Sequence, residues 1–152
     1  MSPGRIRTKV VVAKVAAIRE MLSAADTLPL DSLASFEADP RMVAAGESFL
    51  RRALEALLDL GRHVLAKGFG NPVVEYKGVP RGLVAAGILP EEMETMGVRM
   101  AGYRNRMVHF YDEVSSAELY QVLVGHRSDL EAILGHIEDW IRANPDRLDD
   151  TL

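Results

Sequence analysis

Seven apolar residues late in the chain, Met93, Met96, Met100, Tyr103, Met107, Phe110 and Val114, step by 3, 4, 3, 4, 3 and 4 positions. Such a rhythm keeps residues on one face only in an α-helix, where 3.6 residues complete a turn. It predicts a helix over about 90–113 whose seam is buried against neighbouring helices. Methionines at this spacing read as core packing, because the thioether fills irregular gaps between helices. Pro90 suits the first turn, and Glu91, Glu92 and Glu94 stand near the positive end of the helix dipole.

Proline and glycine divide the rest of the chain into further helical blocks. A first helix is expected from about Arg5 to Ala25, with Ile6, Val10, Ala13, Ala17 and Met21 on one face. Residues 26–39 read as a connection. A second helix runs from Pro40 to about Lys67 on the stripe Val43, Gly46, Leu50, Ala53, Leu57, Leu60 and Val64, and Gly68 and Gly70 stop it. A short helix over roughly 80–87 ends at Gly87. The last helix is expected from Ser116, capped by Ser115 or Ser116, to about Ala143. Its stripe is Leu119, Leu123, His126, Leu130, Ile133, Ile137 and Trp140, and Asn144 and Pro145 end it. No segment reads as a strand, and there is no internal repeat. The reading is all-α: one domain over residues 1–152, an antiparallel up-and-down bundle with an acidic tail at about 144–152.

Composition narrows the chemistry. The 152 residues contain no cysteine, which removes disulfides, thiol nucleophiles and cysteine-ligated zinc. No apolar run approaches the roughly 20 residues that span a bilayer. The basic N-terminus around Arg5, Arg7 and Lys9 lacks the uninterrupted apolar core of a signal peptide. A cytoplasmic location without membrane contact is expected. The net charge is −4, so nucleic acid is not held by bulk electrostatics and any RNA contact must be local. The local basic cluster is Arg99, Arg104 and Arg106.

On a helical wheel, Asn105 and His109 are four residues apart and share a face, whereas Arg104 and His109 lie about 140° apart. Gly97, Val98, Ala101 and Gly102 form a small-residue face away from the seam. Glycine inside a helix costs about 1 kcal/mol relative to alanine, so close approach of another helix is expected there. A second copy of the chain is a good candidate, and a two-fold interface would bring paired Arg104, Asn105 and His109 together. Histidine is the usual acid or base near neutrality, arginine a rigid phosphate fork, and asparagine can orient a hydroxyl or a phosphate oxygen. Those groups suit RNA transesterification without a metal. They also suit an ordinary solvated helix, and the spacing alone does not separate the two.

The segment Arg104-Asn105-Arg106-Met107-Val108-His109-Phe110-Tyr111 fits the pattern R-N-x-x-x-H-x-Y. With Arg52 to Gly61, the Gly70-Asn71-Pro72 loop and Leu83 to Pro90, it resembles the HepT-like family of HEPN-domain proteins, the toxins of HepT/MntA-type toxin–antitoxin pairs. The resemblance covers about residues 5–140. It implies a helical bundle that dimerises through the motif helix and a metal-independent endoribonuclease cleft built from paired Arg-x4-His motifs. Arg104 and His109 would be catalytic and Asn105 would assist, while Arg99 and Arg106, from the local basic cluster, are the candidates for added RNA contacts. It further implies a partner, a minimal nucleotidyltransferase antitoxin of the MntA type, which would add AMP to Tyr111. AMP brings negative charge and bulk beside the cleft and should block RNA. A core or interface tyrosine is the plain alternative for Tyr111, and a non-catalytic, partner-binding subunit of such a nucleotidyltransferase is the alternative for the chain.

Other candidates read as structural. His126 falls in an apolar stripe and suits a hydrogen-bonded core histidine. His63 and His136 flank stripes as surface or boundary residues, and Arg51 and Arg52 suit a solvated face. No histidine and carboxylate spacing matches a metal site, no phosphate-binding glycine loop is present, and no cofactor is expected.

Overall fold

The computed structural model describes residues 5–109 and 114–149. Its centre is the 30-residue helix α3 (Pro40–Phe69), which touches nearly every other element. Asp39 caps it, its side chain accepting from the Arg41 N–H at 2.9 Å, and Pro40 supplies the pre-set first turn. At the other end Gly70 turns left-handed (φ 65°) and its N–H returns to the Leu65 carbonyl. An L side chain is strained in that conformation, so glycine sets the stop. The expected α3 stripe is buried from Gly46 to Val64, with Val43 half-buried at its start.

Helix α1 (Thr8–Ala25) lies along α3. Its buried face is broader than the expected one and overlaps it. Ala17 and Met21 pack on the core as expected, together with Val11, Val15, Ile18, Leu22 and Ala25, whereas Ala13 is exposed. The larger β-branched and leucine side chains take the interior because they remove more apolar area from water than alanines do. Ile6 is fully buried, but it precedes the helix. Ile6–Arg7 (β1) pairs in parallel with Leu148–Asp149 (β2), a two-residue bridge where no strand was expected.

The connection after α1 holds a short helix, α2 (Leu33–Glu37), capped by Ser32 and carrying the fully buried Phe36. Helix α4 (Gly78–Ala85) ends at Gly87, whose φ of 79° again requires glycine. A 3₁₀ turn at Glu91–Met93 leads into α5 (Glu94–Val108). The expected single last helix is two, α6 (Ser116–Gly125), capped by Ser115, and α7 (Arg127–Ala143). They break at His126, whose Nδ1 lies 3.0 Å from Asp129 Oδ2. That histidine is hydrogen-bonded but half-buried at a helix junction, not in the core.

The methionine seam of α5 packs inward, with Met100 buried and Met93, Met96, Tyr103 and Met107 against the core. The small-residue face is met by another helix, as expected, but at Gly97 that helix belongs to the same chain and not to a second copy. Gly97 and Ala101 are buried, and a Cβ on Gly97 would stand 2.6 Å from Pro80 Cβ of α4. The close approach that the glycine permits is therefore made within the chain. Among the described residues no buried side chain is polar or charged, and no helix is long and apolar enough to cross a membrane.

Candidate functional site

Arg104 and Asn105 lie in the last turns of α5, and His109 follows its final residue. The backbone of His109 is extended (φ −106°, ψ 120°). The separation of about 140° expected for Arg104 and His109 applies only to an uninterrupted helix. Because the chain leaves the helix after Val108, Arg104, Asn105 and His109 all line one open cleft of about 600 Å³ in a single chain. Arg62 of α3 and Val74, Glu75, Tyr76 and Lys77 of the α3–α4 loop complete the wall.

Arg104 is held from several sides. Its Nη2 donates to Glu55 Oε2 at 3.0 Å and its Nη1 to Asn105 Oδ1 at 3.2 Å. Its guanidinium carbon sits 4.5 Å from the centre of the Tyr76 ring. Its Nε is buried without a hydrogen-bond partner. The Arg62 guanidinium also lies over Tyr76, at 4.8 Å. The Tyr76 hydroxyl donates to Asp59 Oδ1 at 2.7 Å, the oxygen that also accepts from Arg62 Nη2. Burial pushes the Tyr76 pKa up, Asp59 adds to this by hydrogen bond and charge, and Arg104 and Arg62 pull it partly back. The hydroxyl is thus a protonated donor at neutral pH. Arg62 Nη1 donates to the Val74 carbonyl at 3.1 Å and so ties the loop to α3.

Around this network four cations, Lys14, Arg51, Arg62 and Arg104, share three carboxylates, Glu47, Glu55 and Asp59. The cleft lining itself carries three cations, Arg62, Lys77 and Arg104, against one carboxylate, Glu75, so the cleft is locally cationic although the whole chain is acidic.

The expected arginine cluster divides. Arg106 turns to α6, where its two terminal nitrogens meet both oxygens of Glu118 at 2.7 and 2.8 Å. Arg99 is exposed on α5, and neither it nor Arg106 lines the cleft. Tyr111 and Phe110 lie outside the described residues. His63 is a half-buried boundary residue, as expected, and its Nε2 accepts the Arg7 N–H at 3.0 Å. His136 is exposed on α7, as expected.

Arg62, Tyr76, Lys77 and the carboxylates behind them were not singled out from sequence. One signal for them existed. Glu55, Asp59 and Arg62 recur at i, i+4 and i+7 and make a charged stripe beside the leucines of α3. Tyr76 lies in a loop, which has no periodicity to betray its direction.

A helical bundle that carries an Arg-x4-His motif at a helix end, with both residues in one cleft, is the class of protein this geometry defines. The family model described as "Ribonuclease HepT-like" matches residues 16–137, and the chain belongs to that family. Solved structures share the fold. A toxin–antitoxin crystal structure with AMP-PNP is 18% identical at a TM-score of 0.77, covering 87% of this chain and 99% of that one. The tri-AMPylated HEPN toxin of Shewanella oneidensis in complex with MNT antitoxin is 20% identical at a TM-score of 0.77, covering 86% and 97%. YutE of Bacillus subtilis, a cytosolic protein of unknown function, is 16% identical at a TM-score of 0.76, covering 92% and 94%. A search of curated protein sequences finds no match.

Proposed function

We propose that this chain is the toxin of a toxin–antitoxin pair and acts as a metal-independent endoribonuclease at the Arg104, Asn105 and His109 cleft. The observation that carries the reading is the meeting of those three side chains on one cationic wall, where the family motif falls. His109 takes the proton of a ribose 2′-hydroxyl as general base. The 2′-oxygen bonds to phosphorus and the bond to the 5′-oxygen breaks, with a proton passing to that leaving oxygen. Nη1 and Nη2 of Arg104 each keep a second N–H for the phosphate oxygens, whose charge grows in the transition state. Asn105 orients the attacking hydroxyl or a phosphate oxygen.

The test is incubation of purified protein with tRNA and mRNA in EDTA. Cleavage leaving 2′,3′-cyclic phosphate and 5′-hydroxyl ends is expected from wild type and not from Arg104→Ala. Intact RNA in every case would contradict the activity, and cleavage only with added metal would contradict its metal independence.

Regulation belongs to the same proposal. A nucleotidyltransferase antitoxin of the MntA type transfers AMP to Tyr111, two residues beyond His109, and the added charge repels RNA from the cleft. Support comes from the R-N-x-x-x-H-x-Y match and from the AMPylated toxin that shares this fold. Co-expression with the partner is expected to add whole AMP masses that map to Tyr111. A homodimer through the α5 end is also proposed, with Val108, 41% exposed beside His109, as an apolar contact. Light scattering is expected to give twice the chain mass.

The competing reading, a non-catalytic subunit of the nucleotidyltransferase, draws on one observation: Glu55 already occupies part of Arg104. It expects toxicity to survive His109→Ala, whereas the ribonuclease reading expects it to vanish.

A further inference from the structure

The geometry points to Tyr76 as the positioning residue of Arg104: its ring, anchored through its hydroxyl by Asp59, holds the guanidinium against the cleft. The inference rests on the ribonuclease reading for its consequence, but not for its geometry. Arg104 reaches the cleft from α5 on a long flexible stem, and an arginine side chain carries about 2 kcal/mol of rotamer entropy. Two hydrogen bonds fix its tip, one to Glu55 and one to its own neighbour Asn105. Nothing hydrogen-bonds Nε, although that atom is buried. The remaining restraint is the aromatic face at 4.5 Å, which attracts the cation and excludes water from one side of it. Tyr76 is itself fixed. Its hydroxyl is held by Asp59 at 2.7 Å, and Arg62 secures the loop through the Val74 carbonyl. Glu55 and Asp59 stand one turn apart on α3, so a single helix supports the tip of Arg104 directly and its flank through Tyr76.

This arrangement predicts separate roles for the ring and the hydroxyl. The ring positions Arg104, and the hydroxyl positions the ring. The primary experiment is a ¹H–¹⁵N spectrum of arginine Nε–H groups, with Arg104 assigned by its loss in Arg104→Lys. Wild type should show a slowly exchanging Arg104 signal. Tyr76→Leu should accelerate its exchange at least tenfold, whereas Tyr76→Phe, which keeps the ring, should retain most of the protection. An unchanged Arg104 signal in Tyr76→Leu, with the other arginine signals showing a native fold, would overturn the inference. RNA cleavage is the second readout. Displacement of a catalytic group by about 1 Å can cost on the order of 100-fold in rate. Tyr76→Leu should therefore lower kcat by up to that factor at little-changed KM, with substantial rescue in Tyr76→Phe. Full kcat in Tyr76→Leu would also overturn the inference. A wild-type protein that cuts no RNA would overturn the ribonuclease reading alone, and the exchange measurement would still decide the placement of Arg104.

Discussion

Arg104 and Arg106 stand two positions apart near the end of α5 and meet different partners. Arg106 spends both terminal nitrogens on Glu118 and ties α5 to α6. Arg104 enters the cleft with Asn105 and His109. Lys77, an exposed residue of the cleft lining, pairs with no carboxylate among the described residues. If RNA follows this wall, Lys77 is a phosphate contact without a role in bond breaking. Lys77→Ala is expected to raise KM and leave kcat within about twofold, and to lower the slope of log affinity against log salt by about 1. Cleavage kinetics over a series of salt concentrations check this. An unchanged KM and salt slope would take Lys77 out of the RNA path.

Within helix α5, two glycines that look equivalent in sequence have opposite surroundings. Gly97 faces Pro80 at 2.6 Å from its would-be Cβ, and a proline ring has little room to yield. At Gly102 the nearest atom is the flexible end of Lys77, at 3.7 Å, an ordinary contact. Alanine improves helix propensity by about 1 kcal/mol at either site. At Gly97 overpacking of about 1–3 kcal/mol exceeds that gain. Gly97→Ala should therefore lower stability, and Gly102→Ala should raise it by up to about 1 kcal/mol, as urea unfolding midpoints would show. The same contrast explains what sequence could reveal. Apolar periodicity located α3 and α5 because long stripes survive an error of one residue. It caught only part of the α1 face, Ala17 and Met21, and missed Val11, Val15, Ile18 and Leu22, because valines and alanines alternate there too closely to separate by hydropathy. It missed α2, since five residues are too few for a period, and it ran α6 and α7 together, since the stripe crosses the His126 break in register. The R-N-x-x-x-H spacing identified three cleft residues. The end of α5 at Val108, which brings them together, is a backbone event that a wheel cannot represent.

Across the whole molecule the first and last described segments meet at the far end of α3. β1 pairs with β2, Ile6 packs on Gly68, and Arg147 reaches the Gly68 carbonyl while lying over Phe69. His63 fixes this clasp by accepting the Arg7 N–H, a role only its neutral form can fill. Burial, and then the charges of Lys67 and Arg7, hold its pKa below the usual 6.5. The unfolded chain then binds the proton more readily than the folded one. The His63 contribution is present above pH 6.5 and is lost as the pH falls through its lowered folded value. Melting temperature should therefore fall between pH 7.5 and 5, and less steeply in His63→Gln, whose amide oxygen can still accept from Arg7. Equal slopes would remove His63 as the cause.

The cleft lies elsewhere, between α5, α3 and the α3–α4 loop, and the claim that it cuts RNA is tested most directly by a single-turnover cleavage assay of wild type beside His109→Ala. Cleavage by wild type and a loss of at least 100-fold in the variant are expected, consistent with removal of a general base. Cleavage at the same rate by both proteins, or by neither, would contradict it.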